Sequence, residues 1–402
     1  MRWLDYFRLF RLLFGKSIPA PEQIERLGLM AVKIGQVFAL RVDFLGQEKC
    51  AALARLYSRQ THAAPGSLER WIQRAGGESF LAHFLSFEAT PLAVASIGQV
   101  HRACLTSGQE VVVKFVKGDL RSGFERDIAR AGIFFRVAQW INPRLRGVAN
   151  PLALLNELRA MTLNELDLRN EIAGHQLLEQ IREEESRRFN LEGLVFARVF
   201  PELSGESVLV KQFLPGGTFD ELLDQGKISY ATSLELFRVH GIYMFVRGIF
   251  HGDLHSGNVL LSEGRIAFID TGFIGRVSDR IRVGLFRFFA GLVQADYVEA
   301  ARQLHAMSGH ALDPKQYLAF ERKFLELYRD FSGKTVGEVS LTRKMMDTIR
   351  LGVLSGMDFD EGMFDIIKSL MYMDGMVLRA NPEARLIEDL KPFIEEFKAY
   401  VL

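Results

Sequence analysis

The chain has 402 residues, of which 48% are hydrophobic and 25% are charged, so it is an ordinary globular sequence long enough for two or three domains. Its net charge of +1 argues against a general nucleic-acid-binding protein, and we expect no nucleic-acid partner. The two cysteines, Cys50 and Cys104, form no CxxC pair, so we predict small buried thiols rather than a zinc site or a disulfide framework.

Residues 1–18 predict an amphipathic helix. One side collects the large apolar residues Trp3, Leu4, Phe7, Phe10 and Phe14. Basic groups are supplied by Arg2, Arg8, Arg11 and Lys16. Such a helix can lie on an anionic membrane surface, which predicts a cytoplasmic protein bound peripherally to the inner face of the plasma membrane. The alternative is that the apolar stripe packs on the protein's own helices.

The rest of the chain predicts an α+β protein with two lobes. Residues 19–88 have helical spacing and form a helical extension. Residues 89–213 form a small lobe: short strands with a hairpin turn at 106–110, then a helical insert, then strand-like segments at 196–200 and 207–213. From 214 to 402 the pattern is mostly helical and predicts a large lobe.

Polar residues concentrate in HGDLHSGN and in the D-T-G that follows. Asp253 and Asn258 have the Asp-x4-Asn interval of a kinase catalytic loop, where the Asp orients the substrate hydroxyl and the Asn binds Mg²⁺. Asp270 ends an apolar strand just before a glycine, as a second Mg²⁺ ligand does. We predict Asp253 as catalytic and Asn258 and Asp270 as metal ligands. We expect His251 to be a packed, hydrogen-bonded histidine. For His255 two roles stay open: contact with phosphate or substrate, and stabilisation of the loop.

A kinase also needs a cation on the nucleotide phosphates, and Lys114 in VVVKFVK is the candidate. The preceding AVASIGQVH is alanine-rich, so its backbone has less freedom to approach phosphate than a glycine-rich loop has. The predicted nucleotide contacts, including one in the later strand LVKQF, are Ala93, Ala95, Ser96, Gly98, Lys114 and Gln212. The acidic partner of Lys114 is expected on a helix and stays open between Glu165, Asp167 and Glu171.

These motifs together resemble those of the UbiB/ABC1/AarF family of atypical kinases. AVKIGQVFALRVDFL, ASIGQVH, ELDLRNE, HGDLHSGN and DTG occur in the family's order over residues 22–276. The resemblance implies a protein-kinase-like fold in which the helical extension covers the active site. It implies that Glu171 pairs with Lys114 and belongs to the nucleotide-binding site, and that Lys114 and Lys33 join Asp253 as catalytic residues. The pocket residues that it implies are Lys33, Gln36, Glu165 and Asp167.

The resemblance further implies that the protein binds Mg²⁺ with ATP or ADP and acts as an atypical kinase or ATPase. It implies a role in isoprenoid-quinone, including ubiquinone, or other membrane-lipid metabolism, with an isoprenoid or phenolic lipid as partner. The chain departs from the family pattern at Leu254 and Ser256, where proline is usual. Two alternatives stay open: a small-molecule phosphotransferase like aminoglycoside or choline kinases, and a nucleotide-gated, non-catalytic lipid chaperone.

Overall fold

The computed structural model describes residues 3–39, 45, 47–54, 56, 67–94, 97–116, 120–141, 151–359 and 361–401. The chain divides into two units. Unit 1 comprises Met1–Ala173 and Ala197–Phe213, and unit 2 comprises Gly174–Phe196 and Leu214–Leu402. Both units contain helices and strands, which confirms the predicted α+β class. The segment Gly174–Phe196, placed in the small lobe from the sequence, belongs to unit 2.

Unit 1 begins with helices that follow apolar residues at helical spacing. They are α1 (Trp3–Phe14), α2 (Pro21–Glu25), α3 (Leu29–Ala39), α4 (Gln47–Ala54), α5 (Ser67–Ala75) and α6 (Glu78–Leu81). Later helices are α7 (Leu120–Ile141), α8 (Pro151–Glu165) and α9 (Leu168–Glu185), which begins in unit 1 and ends in unit 2. Ile24, Met30 and Leu53 pack with Phe124 and Leu158 in one core, so the insert helices α7 and α8 bury the extension.

The two faces of α1 have different environments. Tyr6, Leu9 and Leu13 are buried in the extension core, and the Tyr6 hydroxyl donates to the Asp127 carbonyl at 2.8 Å. Lys49 donates to the last carbonyls of the helix, including that of Leu13 at 3.0 Å, where a cation is favourable. The helix therefore packs on the protein through a face other than the aromatic one.

The aromatic face of α1 stays exposed. Its residues are exposed by 42–65%: Trp3, Leu4, Phe7, Phe10 and Phe14. Ring contacts with Phe134 and Phe38 cover only the flanks of Phe7 and Phe14. Exposed large apolar side chains gathered on one surface are unusual and mark an interaction site. The membrane interpretation of this face remains a prediction.

An antiparallel sheet carries the unit 1 site. Its strands are β1 (Phe84–Phe87), β2 (Ala93–Val94), β3 (Gly98–Leu105), β4 (Glu110–Val116) and β6 (Val208–Gln212). They run in the order β1-β3-β4-β6, with β2 beside β3. Along β4, Val111, Val113 and Phe115 enter a core with Trp71. Because side chains alternate along a strand, Lys114 lies on the opposite face of the sheet.

Two details differ from the sequence-based prediction. Residues 84–87, predicted within the helical extension, form β1, because the Phe84 and Phe87 rings pack beside Phe80 and Phe115 on the sheet. Residues 196–200, predicted as a strand, make only an isolated pairing between Val199 and Lys211. The regular pairing lies just before, in β5 (Leu194–Val195) of unit 2, and the chain changes unit in between.

Unit 2 is mostly helical, as predicted. Its helices are α10 (Phe219–Asp224), α11 (Tyr230–Gly241), a π-helical turn (Ile242–Val246), α12 (Asp279–Val293), α13 (Tyr297–Met307), α14 (Pro314–Tyr328), α15 (Leu341–Leu354), α16 (Glu361–Ala380), α17 (Leu386–Asp389) and α18 (Lys391–Val401). One large apolar core includes Phe250, Leu285, Phe324, Ile366 and Phe397. None of the helices in the described ranges is long and apolar enough to cross a membrane.

Short strands in unit 2 hold its polar loops. They are β7 (Gly217–Thr218), β8 (Ile249–His251), β9 (Val259–Ser262), β10 (Arg265–Phe268) and β11 (Ile274–Arg276). One sheet runs β5-β10-β9-β7, and β8 pairs with β11. After the roles predicted from the sequence, we call residues 251–258 the catalytic loop and residues 270–272 the metal loop. The first joins β8 to β9 and the second joins β10 to β11, so both loops are anchored at each end by paired strands.

Candidate functional site

Unit 1 contains a buried group of three charged side chains. Lys114 Nζ of β4 lies 2.6 Å from Glu171 Oε2, and Lys211 Nζ of β6 lies 2.7 Å from Glu171 Oε1. The three side chains are exposed by 11%, 3% and 7% for Lys114, Glu171 and Lys211. Of the three acids open from the sequence, the structure therefore brings Glu171 to Lys114. Sequence reasoning missed Lys211, whose only signal was its position in the strand LVKQF.

The K-x-G-Q segment lies on α3. Lys33 forms an ion pair with Glu165, at the end of α8. Gln36 is buried and donates to the Leu56 carbonyl at 3.0 Å. Asp167 pairs instead with Arg169, 2.6 Å away, and this hydrogen-bonded guanidinium is the main cause of a lowered Asp167 pKa. Of the pocket residues expected from the resemblance, Lys33 and Glu165 thus meet, and Asp167 is held locally.

The predicted nucleotide loop is described in part. Ala95 and Ser96 lie outside the described residues. Ala93 is exposed on β2, and Gly98 is buried at the start of β3. A Cβ on Gly98 would lie 2.3 Å from the Phe115 carbonyl oxygen, so close approach of β4 already requires glycine there. The Gln212 side-chain oxygen accepts the Arg198 backbone N–H at 3.3 Å.

In unit 2, His251 ties the catalytic loop to the metal loop. Its Nδ1 accepts the Asp253 backbone N–H at 3.2 Å, so its Nε2 carries the proton and donates to the Asp270 carbonyl. Burial lowers the His251 pKa, which keeps the ring neutral. The structure thus gives His251 the packed, hydrogen-bonded role expected from the sequence. Its two hydrogen bonds fix the position of the catalytic loop relative to the metal loop.

Asp253 is held as an ionised carboxylate. Its Oδ1 lies 2.8 Å from Nζ of Lys368, a residue of α16 whose side chain is only 8% exposed. His255 Nε2 lies 3.9 Å from the other oxygen. Burial favours the neutral acid, but the adjacent Lys368 ammonium is the main cause that outweighs it and lowers the Asp253 pKa. Sequence reasoning missed Lys368, although a lysine inside the apolar helical run DIIKSLMYM was a signal.

The remaining unit 2 residues fit a magnesium ion. Asn258 donates its side-chain N–H to the Asp253 carbonyl at 2.9 Å, so its amide oxygen is the atom that would bind a cation. Asp270 supplies a partly buried carboxylate, and one of its oxygens accepts the Gly272 N–H at 3.2 Å. Within the described ranges, no three or more His, Cys, Asp or Glu side chains cluster as a metal site. Two hard oxygen donors suit Mg²⁺, which takes few protein ligands and completes its shell with phosphate and water.

Comparisons with known proteins identify the family and the fold. Residues 55–304, more than half of the chain, match the ABC1 atypical kinase-like domain. The chain is similar to a probable protein kinase UbiB of Glaesserella parasuis, with 27% identity over 396 residues, 93% of this chain and 69% of that protein. A probable protein kinase UbiB of Vibrio parahaemolyticus is 28% identical over 391 residues, again 93% and 69%.

Among solved structures, the fold resembles that of Rv3197 from Mycobacterium tuberculosis, determined in complex with erythromycin. The TM-score is 0.58 at 20% sequence identity, and the match covers 94% of each chain. At this identity the likeness concerns the fold alone. The predicted two-lobed, kinase-like α+β class is confirmed, and the chain belongs to the ABC1 atypical kinase-like family.

Proposed function

We propose that the protein binds an adenine nucleotide with Mg²⁺ and transfers or hydrolyses its terminal phosphoryl group. The observation that carries this proposal is the network of Asp253, Asn258 and Asp270, joined through His251 and held between paired strands. It supplies an ionised carboxylate beside two oxygen ligands for a hard cation, the set that phosphoryl transfer requires. A merely structural loop would not need two carboxylates in partly buried positions.

Each residue has a role in this proposal. Asp253 orients the attacking hydroxyl or water, and its lowered pKa makes it a positioning group rather than a strong base. Asn258 and Asp270 would hold Mg²⁺, which when bound neutralises phosphate charge. Lys114, oriented by Glu171, provides the cation for the phosphates.

Other predicted contacts belong to the same proposal. The other proposed nucleotide-binding residues are Ala93, Ala95, Ser96, Gly98 and Gln212. Lys33 and Gln36 are proposed to govern how the nucleotide is used. The Lys33–Glu165 ion pair ties the K-x-G-Q helix to the end of α8, and only two residues separate α8 from α9. Lys33 is thereby coupled through the chain to the helix that carries Glu171.

We further propose that the protein acts at a membrane surface in isoprenoid-quinone or other membrane-lipid metabolism. The family resemblance motivates the lipid class, and the exposed aromatic face of α1 motivates the surface. Arg8, Arg11 and Lys16 are exposed near this face and suit anionic headgroups. A helix fixed by Tyr6 and Lys49 presents its aromatic side chains without an ordering cost at binding.

The test is Asp270→Asn, which removes one charge from the proposed metal site without a change of shape. With wild-type protein and Mg-nucleotide at about 100 times its Kd, binding should add about 2.7 kcal/mol of stability and raise the melting temperature by several degrees. The variant should lose most of this shift. Asp313→Asn is the matched control, since Asp313 caps α14 and Asn caps equally well.

An undiminished Mg-nucleotide shift in Asp270→Asn would overturn the proposed site. The alternatives separate in a second measurement. Binding without any turnover, with or without added lipid, would favour the nucleotide-gated lipid chaperone. Fast phosphorylation of a soluble amino alcohol or aminoglycoside would favour a small-molecule phosphotransferase.

A further inference from the structure

One face of α16 contacts the catalytic loop at its reactive residue. Lys368 forms the 2.8 Å ion pair with Asp253, and its ammonium lies 5.5 Å from the Phe273 ring centre and 5.9 Å from that of Tyr372. Tyr372, one turn later, also lies edge to face with His255, with ring centres 5.8 Å apart. The ammonium therefore lies within reach of two aromatic rings, whose cation–π attraction helps to fix its position.

The same helix supports the next part of the loop. Arg379 lies 2.7 Å from Asp220, and Asp220 also accepts the Ser256 hydroxyl at 2.8 Å. Lys368, Tyr372 and Arg379 are four and seven residues apart, the spacing of one helical face. These contacts follow Asp253, His255 and Ser256 along the loop. Over more than two turns, α16 therefore contacts the loop directly through Lys368 and Tyr372, and through Asp220 at Arg379.

The loop itself has no lysine or arginine between Asp253 and Asn258. A cation beside the carboxylate must therefore come from elsewhere, and α16 supplies it. Stability alone does not explain such a lysine, because replacing a buried ion pair by apolar residues is often neutral or stabilising. The neighbours Ile366, Ile367 and Leu370 are buried and apolar, so an apolar residue would suit the helix at 368.

We propose that Lys368 is a positioning residue of the active centre, and that α16 is part of the catalytic apparatus although it lies outside residues 55–304 matched to the family domain. Lys368 holds the Asp253 carboxylate in one orientation beside the reacting hydroxyl or water. This proposal rests on the proposed function and deepens it. It assigns to the C-terminal helices a role in turnover, distinct from nucleotide binding.

The test compares full-length Lys368→Met and Lys368→Arg with Lys344→Met in steady-state ATP hydrolysis. Lys344, on α15, is the matched control: its ammonium lies 5.8 Å from the Tyr328 ring centre in the same core, away from the catalytic loop. We expect Lys368→Met to lower kcat about 10- to 100-fold with KM for Mg-ATP within about threefold, as misorientation of one reacting group does. Lys368→Arg should recover part of kcat, and Lys344→Met should stay within about twofold of wild type.

The outcomes separate this proposal from the proposed function. A wild type that Mg-ATP does not stabilise defeats the proposed function, and the role of Lys368 falls with it. A wild type that binds and turns over ATP, combined with a Lys368→Met kcat within about twofold of it, overturns the role of Lys368 alone. Equal losses in Lys368→Met and Lys344→Met also overturn it. If Lys368→Met fails to fold, Lys368→Gln, which keeps a hydrogen-bond donor, carries the same expectation.

Discussion

Glu171→Gln is the sharpest perturbation of unit 1, because this one carboxylate forms buried ion pairs with two lysines. The substitution keeps the size of the side chain but leaves Lys114 and Lys211 facing a neutral amide at 2.6 and 2.7 Å. All three side chains are at most 11% exposed, so water cannot replace the lost charge. Removing one partner of a buried ion pair costs about 3–5 kcal/mol. For a unit of this size each kcal/mol lowers the melting temperature by about 2–4 °C, so we expect a fall of at least ~6 °C.

The assay is thermal unfolding at neutral pH, with Glu206→Gln as the matched control. Glu206 lies 2.6 Å from Arg121, as close as the buried pair, but both side chains are about half exposed, by 49% and 48%. A surface pair of this kind contributes about 0–1 kcal/mol, so the control should lose at most a few degrees. If Glu171→Gln loses no more than Glu206→Gln, the reasoning from burial is refuted.

Two further predictions concern the metal loop and the N-terminal helix. A Cβ on Gly174 would lie 2.1 Å from the Thr271 carbonyl oxygen, so Gly174→Ala should displace the metal loop and reduce the thermal shift with Mg-nucleotide. Gly375→Ala is the control, because a Cβ there would meet nothing within 4 Å, and its thermal shift should equal that of wild type. Equal shifts in the two variants would contradict this prediction. Replacing Phe7 and Phe10 by Ser should reduce co-sedimentation with anionic vesicles at least tenfold at unchanged melting temperature, because both rings are about half exposed or more. Co-sedimentation equal to that of wild type, or none by either protein, would remove the membrane proposal.

The catalytic and metal loops could be predicted from the sequence because their parts are local. Asp253, Asn258 and Asp270 lie within 18 residues around the β9–β10 hairpin, so short-range strand pairing determines their spacing. The interval Asp-x4-Asn therefore specified residue types and order without knowledge of the remaining chain. The same holds for the amphipathic helix at the start of the chain. The helical periodicity does not show which face of this helix packs on the protein. Contacts with α4 and α7 decide that.

The partners of the charged residues were decided by tertiary structure. Helical spacing brings Glu165, Asp167 and Glu171 close together, and from the sequence each could have paired with Lys114. Because α3 packs against α8, Glu165 forms an ion pair with Lys33. Asp167 pairs with its near neighbour Arg169 instead.

Two lysines that sequence reasoning missed have the same physical origin. Lys211 reaches Glu171 because β6 pairs with β4, and Lys368 reaches Asp253 because α16 packs on the catalytic loop. Each is far from its partner along the chain. A buried charge is stable only beside its counter-charge, and only the packing of distant elements determines which counter-charge that is.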